Sequence, residues 1–199
     1  MPWADVRPPL VSQVGDALRQ AGYREAGLRQ AIGSTSSLAH DPRATDIARR
    51  RLQSGTALHA LIKLFSLGIP VPADELTQTV GRKTVDLFTR VAVVTEQGDS
   101  IIPLIAIDVA GDVLIAHDRA PHGEPLPCDH VIGLGPAPRT LAALTVRSRA
   151  RRVLDLGTGS GIHALLALNH ADAVVATVLG PVIGHEAGAV PDFDLEAGG

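Results

Sequence analysis

The sequence predicts an α/β chain: a helical N-terminal domain closed by β-hairpins, then the first part of a domain built on parallel strands. Three observations carry this reading. Apolar residues recur at helical spacing through much of residues 10–90. β-branched runs separated by Gly-Asp turns follow over 91–117. A short apolar run then enters a loop with glycine at 157, 159 and 161, ahead of an Ala/Leu-rich stretch.

Composition limits the possibilities. The 199 residues can hold one large domain or two small ones, and 45% hydrophobic residues support a packed core of Ala, Val and Leu with few aromatics. Lys63 and Lys83 are the only lysines among 18 basic residues, a bias best explained by codon usage. Net charge of −3 predicts neither a nucleic-acid nor a membrane footprint. Cys128 is the single cysteine, which excludes an internal disulfide framework and fits a reducing compartment. The start, residues 1–9, lacks the apolar core of a signal peptide and reads as disordered. No run reaches the roughly 20 apolar residues of a membrane span. A cytoplasmic protein is expected.

Residues 10–117 read as the N-terminal domain. Leu10, Val14, Ala17, Leu18 and Ala21 trace a helical face stopped by Gly22, and Arg24–Ile32 forms a second helix stopped by Gly33. Ser34–Ser37 is a turn, and Asp41-Pro42 caps a basic helix through Arg49-Arg50-Arg51, read as a solvated face. Thr56–Leu67 is a strongly apolar helix stopped by Gly68. Ala73–Val80 and Thr84–Arg90 are two shorter ones. Val91–Glu96, Ser100–Val109 and Val113–His117 read as strands, joined by Gln-Gly-Asp and Ala-Gly-Asp hairpin turns. Helices followed by hairpins resemble a winged-helix module, which binds nucleic acid or protein or serves as a packing domain. Arg82 and Lys83 are the only basic residues near its middle helix, too few to favour nucleic acid.

Residues 118–130 read as a Pro/Gly-containing linker. His117, His122, Cys128 and His130 invite a zinc reading, but their spacing matches none of the regular Cys/His ligand pairs. The second domain is expected over 131–179. Gly135 and Thr140 precede a helix running to about Arg147, and Arg147, Arg149, Arg151 and Arg152 are solvated. Val153–Leu156 suits a buried parallel strand. The glycines after it permit φ > 0 and let a ligand approach the backbone.

Spacing narrows the ligand. A dinucleotide fingerprint needs glycine where Ile162 stands. A triphosphate-binding loop needs a lysine, and none follows Lys83. A serine-hydrolase elbow fails because Thr158 stands where its first glycine belongs. What remains is Asp-x-Gly-x-Gly-x-Gly: Asp155, Gly157, Gly159 and Gly161.

That pattern, within Val-Leu-Asp-Leu-Gly-Thr-Gly-Ser-Gly, resembles motif I of the seven-stranded S-adenosylmethionine-dependent methyltransferases. It is nearest the branch of release-factor glutamine and base-modifying enzymes. The resemblance implies a Rossmann-like domain, S-adenosyl-L-methionine as cofactor, and methyl transfer to a nitrogen of a protein glutamine or a nucleic-acid base. It implies cofactor contacts from Asp155, Gly157, Thr158, Gly159, Ser160 and Gly161, with Thr140 beside them. Asp155 would accept from the methionine ammonium through loop amides or water. No catalytic residue can be assigned.

The match ends abruptly. The family's ribose-binding acid belongs at the end of the next strand, read here as Ala173–Val178 after a turn at Ala171-Asp172. Thr177-Val178-Leu179 stands there instead. Asn169 is the only asparagine and is followed by His170, so the family's Asn-Pro-Pro-Tyr-type motif is absent. Residues 162–199 are too few for the remaining βαβ units at about 30 residues each. Residues 180–199 read as a disordered acidic tail. A methyltransferase truncated or shifted in frame near Val178 is therefore expected, with open apolar sheet edges that favour self-association. The alternatives are a non-catalytic winged-helix-like binding module with a vestigial cofactor motif and, third, a dinucleotide enzyme.

Overall fold

A computed structural model describes residues 8–33, 42–53, 55–119, 125–127, 130–177 and 192–196. The chain divides into two units, Met1–Arg119 and Ala120–Gly199. Both mix helices with small sheets.

In the N-terminal unit, glycines stop helices where the sequence places them. Helix α1 (Pro8–Gln20) precedes Gly22, and α2 (Glu25–Ile32) ends on Gly33, whose φ of 79° lets its amide reach Arg29 O. Helix α3 (Pro42–Arg51) carries the exposed arginines 49–51, and Arg51 Nη1 donates to Ile32 O at 3.3 Å. The turn at Ser34–Ser37 and the capping residue Asp41 lie outside the described residues. Thr56 caps α4 (Ala57–Leu61), its Oγ1 accepting from His59 N at 3.2 Å.

The helix expected over Thr56–Leu67 changes pitch halfway. Ile62–Ser66 is π-helical, with Leu67 N bonded to Ile62 O at 3.0 Å. The widened turn presents Ser66 Oγ to the Tyr23 hydroxyl at 2.7 Å, and that hydroxyl donates to Ile107 O at 2.8 Å. Tyr23 is completely buried, and burial pushes its phenol far above its ordinary range. Around it lie Leu18, Leu52, Leu61, Leu64 and Leu76, with Phe65 and Phe88 edge to face at 5.7 Å.

Strand β1 (Val71–Pro72) leads into α5 (Ala73–Val80) and α6 (Arg82–Arg90). Strands β2 (Val94–Gln97) and β3 (Ser100–Pro103) then form a hairpin through Gly98, giving an antiparallel sheet ordered β1-β3-β2. The strand expected to run unbroken over Ser100–Val109 is two strands in two sheets. It breaks at Leu104, and β4 (Ile105–Ala110) pairs instead with β5 (Val113–Asp118) through Gly111. Pro103 supplies the reason, since proline has no amide to extend a ladder. Arg119 holds the junction, donating to Pro103 O at 2.8 Å and Gly68 O at 3.0 Å.

Across β4 and β5, His117 Nε2 lies 3.2 Å from Asp108 Oδ2. Burial opposes charge on His117. The Asp108 carboxylate, aided by the Asp118 carbonyl and carboxylate, outweighs it and raises the imidazole above its ordinary range.

In the second unit, α7 (Pro136–Leu144) starts on a proline, earlier than expected, so that it includes Thr140, and it stops before Arg147. Strand β6 (Ala150–Leu156), α8 (Ile162–Ala167) and β7 (Ala171–Thr177) form a βαβ unit, with Val153 opposite Val174 in parallel register. Strand β7 already includes Ala171 and Asp172, where a turn is expected from sequence. Residues 192–196, read as part of a disordered tail, form β8 (Asp192–Glu196), antiparallel to β7; their alternating acidic and apolar residues suit a strand. The sheet order is β6-β7-β8.

The buried-strand reading of Val153–Leu156 is corrected. Strand β6 is an edge strand, with Leu154 58% and Leu156 73% exposed. Among the described residues its other face is covered by α8, over a small core of Ala164, Ala167, Ala171, Val174 and Ala176. Among the described residues no helix is long and apolar enough to cross a membrane.

Candidate functional site

The loop between β6 and α8 is assembled from bonds that converge on Asp155 and Thr177. Strand β6 turns its odd-numbered side chains toward α8, which brings the Asp155 carboxylate under the start of that helix. There Asp155 Oδ2 accepts from Thr158 Oγ1 at 2.7 Å and from the amide of Ala164 at 3.0 Å. One carboxylate oxygen thus ties the loop back and serves an amide that the first helical turn leaves without a partner.

The parallel register sets Thr177 opposite Leu156, beside the loop. Its Oγ1 accepts from Gly157 N at 3.1 Å and donates to Asp155 O at 3.4 Å, and its carbonyl accepts from Thr158 N at 2.8 Å. Gly157, Gly159 and Gly161 all have positive φ, at 69°, 54° and 78°. Among the described residues a Cβ at Gly159 or Gly161 would meet nothing within 4 Å, which leaves the space beside them open.

Of the residues singled out in sequence, Asp155, Gly157, Thr158, Gly159, Ser160 and Gly161 lie together in this loop. Thr140 is exposed on α7, and its hydroxyl is spent on Pro136 O at 3.0 Å. Its neighbours Leu141, Ala142 and Thr145 do line a cavity of about 190 Å³, together with Val153, Asp155 and His163. That volume is below the roughly 300 Å³ at which ligand pockets begin. The cavity also touches Arg147 and His170, and the buried His170 Nδ1 has no hydrogen-bond partner among the described residues. One oxygen of Asp155, Oδ2, serves the loop itself.

Sequence reasoning missed Thr177 as a loop anchor. It marked the position as one where an acid was lacking, and only the parallel register reveals the use of the hydroxyl. Among the described residues no group of three or more His, Cys, Asp or Glu is placed to hold a metal. His122 and Cys128 of the zinc reading lie outside the described residues, and His117 pairs with Asp108.

Residues 20–104 match the model of a family described as a domain of unknown function, DUF7059. The matched stretch lies within the N-terminal unit and does not include the glycine loop. No curated protein matches the chain.

Proposed function

We propose that this chain is an S-adenosylmethionine-dependent methyltransferase whose second unit binds the cofactor at the β6–α8 loop. In this reading that unit is the start of a Rossmann-like domain. The observation that carries it is the anchored loop, with Asp155 bonded to Thr158 and Ala164, three positive-φ glycines, and open space beside Gly159 and Gly161. Supporting the companion reading of the N-terminal unit as winged-helix-like is its element order. Helix, short strand, two helices and a hairpin build an antiparallel sheet ordered β1-β3-β2.

The residues fit one end of the cofactor. The backbone of Gly157–Gly161 would line the methionine and adenosine, with open space beside Gly159 and Gly161. Asp155 would act through the loop it holds in shape. The ribose end has no acid: Thr177 stands at the strand end, its hydroxyl committed to Gly157 N and Asp155 O. When bound, S-adenosylmethionine supplies a methyl group on a sulfonium, for transfer to a nitrogen of a release-factor-like glutamine or a nucleic-acid base. The protein's share of such a reaction is positioning and electrostatics.

Calorimetric titration of the full chain with S-adenosylmethionine, and with S-adenosylhomocysteine in parallel, tests the reading. Micromolar binding that Gly159→Asp abolishes is the expected result. Asp at this position would adopt a strained positive φ and place a charge in the open space. A folded chain that takes up neither compound, or a Gly159→Asp variant that binds as well as the parent, overturns it.

A further inference from the structure

We infer that the groove between α1 and α6 in the N-terminal unit is a binding site for the phosphate backbone of a nucleic acid. The groove has a volume of about 380 Å³ and is lined by Gln13 of α1 and by Lys83, Thr84, Asp86, Leu87 and Arg90 of α6. Its charges are unequal. Asp86, the one acid in the lining, is held by Arg82 at 2.9 Å, and Asp16 on α1 lies 3.4 Å from Arg19. Lys83 and Arg90 have no acidic partner among the described residues, and both are exposed. The chain's net charge of −3 conceals this. Arg82 is paired with Asp86 and Glu96, so the surplus on α6 is Lys83 and Arg90, a local cationic excess on a chain that is acidic overall.

The spacing suits a repeating anion. Lys83 and Arg90 are seven residues apart, so they share one face of α6 about 10.5 Å apart along its axis. Phosphates repeat regularly along a nucleic-acid strand, so two long, exposed cationic side chains at this separation can each reach one of them. Gln13 and Thr84 add neutral donors of the kind that contact phosphate oxygens. A compact ligand would need most of its surface enclosed. Exposed cations bordering an open groove instead suit a polyanion held by several weak contacts. The inference stands independently of the cofactor loop. Where the methyltransferase reading also holds, it favours a nucleic-acid base over a protein glutamine as the acceptor.

Fluorescence anisotropy of the full chain with a labelled RNA hairpin and a labelled DNA duplex tests this, with labelled polyglutamate as a third probe. At about 50 mM salt the chain should bind nucleic acid. The double variant Lys83→Gln/Arg90→Gln should lose about tenfold in affinity, and its slope of log K against log salt should fall by about 1.8. Both residues are exposed, so an unchanged melting temperature verifies the fold. Arg29→Gln, which removes a cation paired with Glu25 outside the groove, and Gly159→Asp should both bind as the parent does. The Gly159→Asp result separates this site from the cofactor loop. Tighter capture of RNA or of DNA supports the inference and identifies the acid. Absence of binding to both, an unaltered double variant, or equally tight Lys83- and Arg90-dependent capture of polyglutamate overturns it.

Discussion

The Asp155 carboxylate reaches nine residues along the chain to accept the amide of Ala164 at 3.0 Å. A strand residue thereby caps the helix that follows it, across a loop whose residues Gly157 and Thr158 are also tied to Thr177. Asp155 therefore has a structural role in this chain that requires no ligand.

Replacing that acid separates shape from charge. Asp155→Ala removes the acceptor for both Thr158 Oγ1 and Ala164 N, at a cost of about 1–2 kcal/mol. Cofactor binding should fall with it. Asp155→Asn keeps an acceptor oxygen and should recover most of the stability and binding together. Thermal unfolding and calorimetric titration of both variants check this. A stable Asp155→Asn chain that binds no cofactor would show that the charge meets the ligand directly.

The His117–Asp108 pair gives the N-terminal unit a dependence on pH. The folded-state pKa of His117 is raised, so its contribution is whole below the unfolded value of about 6.5 and is lost as pH rises through the folded value. His59 runs the other way. Burial first, and then Lys63, lower its pKa, so its contribution is lost as pH falls. Melting temperatures measured upward from about pH 6 should decline in the parent and flatten in His117→Gln. An equal decline in the variant would rule out this pair as the cause.

Leu154 and Leu156 lie on the uncovered face of an edge strand, 58% and 73% exposed. Apolar edge strands recruit other chains, so self-association is expected. Size-exclusion chromatography should show oligomers in the parent, and Leu154→Glu/Leu156→Lys should shift the protein toward monomer. These side chains are solvent-exposed, so the fold should survive the change. A clean monomer in the parent sinks the prediction.

Local signals made much of the fold legible. Gly22, Gly33 and Gly81 mark helix ends because a left-handed or otherwise unusual backbone falls on the residue that tolerates it. Gly98 and Gly111 mark hairpin turns for the same reason. The break at Leu104 also had a signal, in Pro103, but the β-branched residues on either side masked it. The π-helical turn at Ile62–Ser66 had none, because its partners include Tyr23, Glu75 and Phe88, which no local pattern connects.

What the sequence by itself determined is the local chemistry: helix stops at glycines, turns at Gly-Asp, and a loop of three glycines behind Asp155. Those features depend on backbone preferences within a few residues of one another. Only the tertiary structure decided that Thr177 anchors the loop, that Asp108 raises His117, and that β6 lies at an edge with Leu154 and Leu156 uncovered. Each of those depends on which distant strand becomes a neighbour, and strand register is set by packing over the whole unit rather than by any local residue pattern.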